Sequence, residues 1–224
     1  MLRRNNFTGK FVVIYGPNNM GKTTQMQLLA RRLIEQKNYI AYMKYPVYNL
    51  APTGPMINEI LRQSQMCLDL GKDRYTVQIS KILGRKLTPL NVEKAVQGLY
   101  ARNRRDFQPN LLGMIRAGMT VLAEDYTGTG IAWGMTRDVE LKYLEKINAN
   151  LIGPDIAILL DGERFIMGVE EGHRNEDTAD IMWLKNREIY RLLAKKYGWI
   201  TVNANGTIEE IHERIWNALD TNLR

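Results

Sequence analysis

The sequence predicts an α/β fold, a five-stranded parallel sheet with helices on both faces, as one domain over residues 1–224. Three observations carry that reading. A short apolar, β-branched run, Phe11 to Tyr15, enters a glycine-bounded loop, Gly16-Pro17-Asn18-Asn19-Met20-Gly21-Lys22-Thr23-Thr24, and the loop opens a helix. Further apolar runs of strand length follow, each separated from the next by a stretch with helical spacing, which is the pattern of parallel β-α units. A chain of 224 residues that is 45% hydrophobic can bury one sizeable core.

Taken in order, Thr24 to Lys37 reads as the first helix, with Met26, Leu29, Leu33 and Ile34 on one side. Tyr39 to Tyr45 reads as the second strand, stopped by Pro46. Leu50 to Pro55 is a turn, and a helix begins at Met56. A break at Asp69 to Asp73 precedes a short helix over Tyr75 to Leu83. A longer helix starts at Asn91 as N-cap and is expected to end at Pro109, with a further helix running to Gly118. Thr120 to Asp125 is the third strand, Val139 to Ile147 a helix, and Ile156 to Asp161 the fourth strand. Asp177 to Tyr197 is a long charged helix, Trp199 to Asn203 the last strand, and Ile208 to Leu219 the closing helix. In such a sheet the ligand belongs at the carboxyl ends of the strands.

The loop fits the phosphate-binding pattern G-x-x-x-x-G-K-[ST], in the strand and helix context that the pattern requires, so the fold class is a P-loop three-layer sandwich. Gly16, Asn18, Asn19, Met20, Gly21, Lys22, Thr23 and Thr24 would surround ATP phosphates with backbone N–H groups and the positive end of a helix. Lys22 would reach the β- and γ-phosphates, and the Thr23 hydroxyl would ligate Mg²⁺. A triphosphate site needs a second handle on its metal, and the acids Glu124-Asp125 at the end of an apolar strand supply it. Asp161, ending the next strand, is a weaker candidate that instead caps the following helix.

Charge is 31 basic residues against 24 acidic, net +7, which suits polyanionic ligands; no Lys/Arg tract longer than two marks a nucleic-acid arm. The single cysteine, Cys67, allows neither an internal disulfide nor a zinc cluster and reads as a core residue. No segment approaches the length of a membrane span and no signal-type apolar segment follows Met1 to Asn6, so a cytoplasmic protein is expected.

Several motifs, in order, resemble those of the thymidylate kinase family of nucleoside monophosphate kinases, from about Lys10 to Leu219. Lys44-Tyr45-Pro46 is similar to the family's Arg-Phe-Pro after the second strand, which implies that Lys44 meets the acceptor phosphate. Leu99-Tyr100-Ala101-Arg102-Asn103-Arg104 is similar to the family's Leu-Phe-x-Ala-Asn-Arg helix. The resemblance implies that Tyr100 stacks on the acceptor base and Arg104 reaches its edge; positions i and i+4 do share a helical face. The stretch Glu124 to Trp133 resembles the Asp-Arg-Tyr segment, placing Tyr126 against the sugar, Thr129 and Gly130 beside the base and Trp133 as a wall. Residues 163–177, with Arg164, Gly168, Gly172, His173 and Arg174, occupy the position of the family's lid, whose arginines would complete the charge clamp.

The resemblance implies Mg²⁺-dependent transfer of the ATP γ-phosphoryl group to a deoxynucleoside monophosphate, thymidylate first, by a homodimer. Lys22, Glu124, Arg164 and Arg174 would carry catalysis, and Thr23 and Glu124 the metal. An acceptor phosphate is already a nucleophile, so neither histidine is needed; His173 lies in the lid and His212 is expected at the surface. Three positions depart from the family: Asp125 stands for its Arg, Asn18 for its loop acid, and Asn19 where some members carry a loop arginine. These leave open another acceptor nucleotide, or a member that binds nucleotide without turnover. A nucleoside kinase would need an acid where Lys44 stands, a GTP switch an Asn-Lys-x-Asp motif that is missing, and a literal Asp73-Arg74-Tyr75 follows no apolar strand. Asn203-Ala204-Asn205-Gly206 after the last strand is placed beside the adenine.

Overall fold

The computed structural model describes residues 1–69, 72–164 and 180–223. The elements run β1 (Lys10–Tyr15), α1 (Lys22–Glu35), β2 (Ile40–Lys44), α2 (Thr53–Asp69), α3 (Lys72–Ile82), α4 (Val92–Arg116), β3 (Thr120–Glu124), α5 (Thr127–Thr136), α6 (Leu141–Ile147), β4 (Ile156–Asp161), α7 (Asp180–Tyr197), β5 (Ile200–Asn203) and α8 (Ile208–Leu223). The five strands form one parallel sheet in the order β2-β3-β1-β4-β5. The order reverses beside β1, so the crevice at its carboxyl end is the switch point where ligands bind in open α/β sheets.

Side-chain alternation along the strands divides the core. Phe11, Val13, Tyr15, Val121, Ala123 and Leu159 meet Leu111 and Ile115 of α4, Ile131 and Ala132 of α5, Leu144 of α6, and Tyr190, Leu193 and Ala194 of α7. The other face presents Val12, Ile14, Leu122, Ile158 and Leu160 to Met26, Leu29 and Leu33 of α1 and to Ile211, Ile215 and Leu219 of α8. A third cluster joins Ile57, Ile60, Tyr75 and Ile79 of α2 and α3 to Val92, Val96 and Leu99 of α4, outside the sheet.

Two elements differ from expectation. α4 is continuous through Pro109, over 25 residues. An interior proline costs about 3 kcal/mol, but both halves of this helix are anchored, Val92 to Leu99 in the satellite cluster and Leu111 and Ile115 on the sheet. Asn91 holds the N-cap position, yet its Oδ1 accepts from the N–H of Thr88, upstream, instead of capping forward. α5 has no counterpart among the helices read from sequence, and Gly128, Gly130 and Gly134 lower its propensity. Packing demands those glycines. A Cβ would collide with the Trp199 ring at Gly128, with the Arg104 guanidinium at Gly130 and with Leu144 at Gly134.

Smaller corrections concern single residues. Among the described residues Asp161 caps no helix; its two oxygens accept from Arg187 and Arg191 of α7, at 2.6 and 2.9 Å. His212 is buried, 9% exposed, and not a surface residue. Asp73-Arg74-Tyr75 lies within α3, with Tyr75 in the satellite core, away from any strand end. The side chain of Cys67 and residues 165–179, including Gly168, Gly172, His173 and Arg174 of the lid, lie outside the described residues. Among the described residues no helix is long and apolar enough to cross a membrane.

Candidate active site

The phosphate loop turns out of β1 with Gly16 at φ +155° and Gly21 at φ +73° directly before α1. An L side chain is disfavoured at both, and at Gly16 a Cβ would also stand 2.9 Å from the Leu160 carbonyl. Asn19 adopts φ +63°, a conformation for which Asn is among the better non-glycine residues. The Trp183 indole of α7 donates to the Asn18 carbonyl at 3.1 Å and pins the loop from outside. Lys22 is 7% exposed; its ammonium donates to the carbonyls of Gly16 and Pro17 at 2.9 and 3.0 Å. The loop thus holds its own lysine curled over the space that it encloses.

Strand pairing brings the second half of the charge cluster to the loop. β3 lies between β1 and β2, and its last residue, Glu124, registers with Ile14 on one side and Lys44 on the other. Its side chain shares the sheet face of Leu122, toward α1. Glu124 Oε2 accepts from the Thr23 hydroxyl at 2.8 Å and from the Tyr42 hydroxyl at 3.1 Å, and Oε1 faces the Lys44 ammonium at 2.8 Å. Burial works to raise the Glu124 pKa, but Lys44, Lys22 and the Thr23 hydrogen bond outweigh it and hold the carboxyl below its usual value. Burial likewise opposes the charge on Lys44, and Glu124 more than restores it, so the Lys44 pKa is raised. The Tyr42 phenol is pushed up to about 12 by burial and by Glu124.

Asp125 follows at φ +64°, a turn conformation that aims its carboxylate at Lys22, 4.0 Å away, and accepts from the Thr129 hydroxyl at 2.7 Å. Burial raises its pKa, Lys22 opposes that and Glu124 adds to it; the net direction is upward. An acid here leaves the cluster with two lysines and two carboxylates.

The far wall is built from α4 and α5. Gln97, Tyr100 and Arg104 follow one another along a face of α4 and line the cleft. Arg104 is 3% exposed; its Nε donates to Asn148 Oδ1 at 3.0 Å and its Nη1 to the Tyr126 carbonyl at 3.5 Å. With neutral partners only, burial lowers its pKa to about 10. Asn103 clamps the chain after β2: its Oδ1 accepts from the Val47 N–H and its Nδ2 donates to the Val47 carbonyl and to Thr53 Oγ1, at 2.8, 3.0 and 3.0 Å. That clamp sets where Lys44, Tyr45 and Pro46 stand.

These parts enclose one cleft of about 860 Å³, within the range of small-molecule sites. Of the residues expected from sequence, Asn18 to Thr24, Lys44, Tyr45, Pro46, Tyr100, Arg104, Glu124, Tyr126, Thr129, Gly130 and Trp133 all line it. Gly16 contributes its carbonyl to Lys22 from behind, Arg164 stands after β4 at the end of the described segment, and Arg174 lies outside it. Sequence reasoning did not single out Tyr42, Gln97, Arg137 or Trp183. Tyr42 and Gln97 were accessible signals, one two residues before Lys44 on a strand, the other three before Tyr100 on a helix. Arg137 and Trp183 come from elements whose placement no local pattern records. Four polar atoms in the cleft's wall, Asn19 Nδ2, Tyr45 Oη, Tyr126 Oη and Arg104 Nη2, are buried without a hydrogen-bond partner among the described residues. Unpaired buried groups are uncommon, and four of them gather in this wall.

No protein-family model matches the chain. It is 23% identical over 214 residues to the thymidylate kinase of Schizosaccharomyces pombe, covering 92% of this chain and 90% of that one. It is 29% identical over 195 residues to the thymidylate kinase of Pelotomaculum thermopropionicum, covering 84% and 78%. Its fold matches the solved thymidylate kinase of Candida albicans with a TM-score of 0.73 at 18% identity, over 96% of this chain and 92% of that one. Over nearly its whole length the chain is thus similar to thymidylate kinases in sequence and shares the fold of one.

Proposed function

We propose that this cleft transfers the γ-phosphoryl group of ATP to thymidylate, giving ADP and thymidine diphosphate. The observation that carries the reading is the bridge Thr23–Glu124–Lys44, which ties the phosphate loop to the end of β2 in one hydrogen-bonded line. A donor phosphate chain over the loop and an acceptor phosphate beside Lys44 would then meet end to end. The near full-length likeness to thymidylate kinases supports thymidylate as the acceptor.

Chemistry of this kind is positioning and charge neutralisation. An oxygen of the acceptor phosphate attacks the γ-phosphorus, and the bond from that phosphorus to the bridging β,γ-oxygen breaks. The electron pair leaves with ADP, and no proton need move. Lys22, swinging from the Gly16 and Pro17 carbonyls, meets the β- and γ-oxygens, and the loop amides hold the rest of the chain. The Thr23 hydroxyl and the Glu124 carboxylate, 2.8 Å apart, are hard oxygen donors at the mouth of the loop and fit Mg²⁺. When bound, that ion supplies neutralisation of charge on the phosphate oxygens as the bond to ADP lengthens. On the acceptor side Arg104 and Tyr100 line the cleft, where they would offer a guanidinium and a ring to the base. The lid arginines, Arg164 and Arg174, complete the clamp in this reading, and the active form is a cytoplasmic homodimer.

The test is a coupled ADP-release assay with Mg²⁺·ATP against deoxy- and ribonucleoside monophosphates. Thymidylate is expected to give the highest kcat/KM. A different monophosphate in that place would keep the chemistry and replace the acceptor; ATP binding with no turnover of any would overturn the reading.

A further inference from the structure

Lys44 stands between two anions, the carboxylate it holds and the phosphate it would meet. We propose that Lys44 couples the two substrates. In the free protein Glu124 holds its ammonium, and a divalent cation taking that carboxylate releases it toward the acceptor, so that metal–nucleotide binding raises the affinity for the nucleoside monophosphate. The proposal rests on the function proposed above and adds to it an energetic link between the two halves of the cleft.

Both oxygens of Glu124 are engaged, Oε1 by Lys44 and Oε2 by Thr23 and Tyr42. Each carboxylate oxygen can accept twice, so Oε2 is filled and the open side of Oε1 is where a cation would stand, against the Lys44 ammonium. Thr23 is a co-ligand and stays. Tyr42 is neutral and adds no repulsion. Among the described residues Lys44 carries the only positive charge in direct contact with Glu124; it repels the incoming ion and is half exposed, so it moves at the lowest cost. Its backbone is fixed meanwhile: Lys44 registers with Glu124 in the sheet, and the next N–H, of Tyr45, donates to the Glu124 carbonyl at 2.9 Å. Only the flexible stem turns, and it turns in a cleft that Lys44, Tyr45 and Pro46 line.

Charge makes the exchange matter. Lys22 and Lys44 are each set against an acidic side chain, Asp125 and Glu124, which offsets their pull on a dianionic phosphate. Asp125 cannot take Lys44's place on the phosphate, whereas a cation at Glu124 frees one lysine. Coupling of this kind is reciprocal: whatever the metal–nucleotide does for the acceptor, the acceptor does for the metal–nucleotide.

The experiment is calorimetric titration of thymidylate into the protein, alone and saturated with Mg²⁺ and a non-hydrolysable ATP analogue. It is repeated on Lys44→Met, with Mn²⁺ affinity for each protein measured by electron paramagnetic resonance in the presence of the same analogue. In the wild type the loaded protein should bind thymidylate at least about fivefold more tightly, the lower end of ordinary coupling. In Lys44→Met that enhancement should vanish and thymidylate should bind more weakly, while Mn²⁺ binds more tightly because nothing competes for Glu124. A merely structural role for Lys44 would not move the two affinities in opposite directions. Equal thymidylate affinity with and without the analogue, an enhancement that survives in Lys44→Met, or unchanged Mn²⁺ binding would each overturn the coupling and leave the proposed function standing. Failure of every nucleoside monophosphate to bind either form would overturn both.

Discussion

The loop half and the acceptor half of the cleft are made in different ways. The loop half is nearly contiguous: nine residues, Gly16 to Thr24, run from one strand into one helix, and Lys22 is held by carbonyls of its own loop. The acceptor half is assembled from the ends of β2 and β3, the middle of α4 and the start of α5, and Asn103 must tie two of these together. Local sequence therefore determines the first, whereas the second depends on tertiary packing. Of the departures from the family pattern, Asn18 and Asn19 lie in the loop and Asp125 at the seam where the two halves meet.

That comparison can be broken or sharpened by substitution. Lys22→Ala should lower kcat by about a thousandfold or more with little change in melting temperature, since its role is charge stabilisation of the transferring group. A loss under tenfold would show that the loop half is not the chemical half. Arg104→Met should act on the other side, lowering kcat/KM for thymidylate by about 100-fold through the acceptor KM while leaving the KM for ATP within about twofold, as for a buried donor that reads a base carbonyl. If both KM values rose together, the two halves would not be separable.

Asn103→Ala removes three hydrogen bonds at a fully buried position, which should cost about 2–3 kcal/mol of stability, readable in urea unfolding. The acceptor KM should rise with it, because the chain after β2 loses its clamp. Trp183→Phe deletes the bond to the Asn18 carbonyl and should weaken ATP binding by about fivefold, from one hydrogen bond of about 1 kcal/mol. An Asn103→Ala protein of unchanged stability would contradict the clamp.

Much of this was readable from the chain. The five strands and the phosphate loop announce themselves because burial on both sheet faces forces continuous apolar runs and a phosphate-wrapping backbone forces glycine. Tyr100 and Arg104 were legible through the resemblance of Leu99 to Arg104 to a thymidylate kinase motif, with which the shared helical face of i and i+4 agrees. Where local pattern misled, a tertiary contact had won. α5, which no helical reading covered, carries three glycines that lower its propensity, and Trp199, Arg104 and Leu144 stand against them. α4 passes Pro109 because both of its halves are buried elsewhere. Asp161 looked like a metal ligand or a cap, and the arginines that neutralise it come from 26 and 30 residues away. The Lys44–Glu124 pair could not be read at all, since nothing in sequence says that β2 and β3 are neighbours.

The central claim is that donor and acceptor lie end to end in one cleft. The most direct test is inhibition by a bisubstrate molecule, adenosine and thymidine joined through a chain of five phosphates. It should compete with both ATP and thymidylate and bind more tightly than either alone, because the second contact becomes intramolecular. Competition with ATP only, at an affinity no better than that of ATP, would contradict the account.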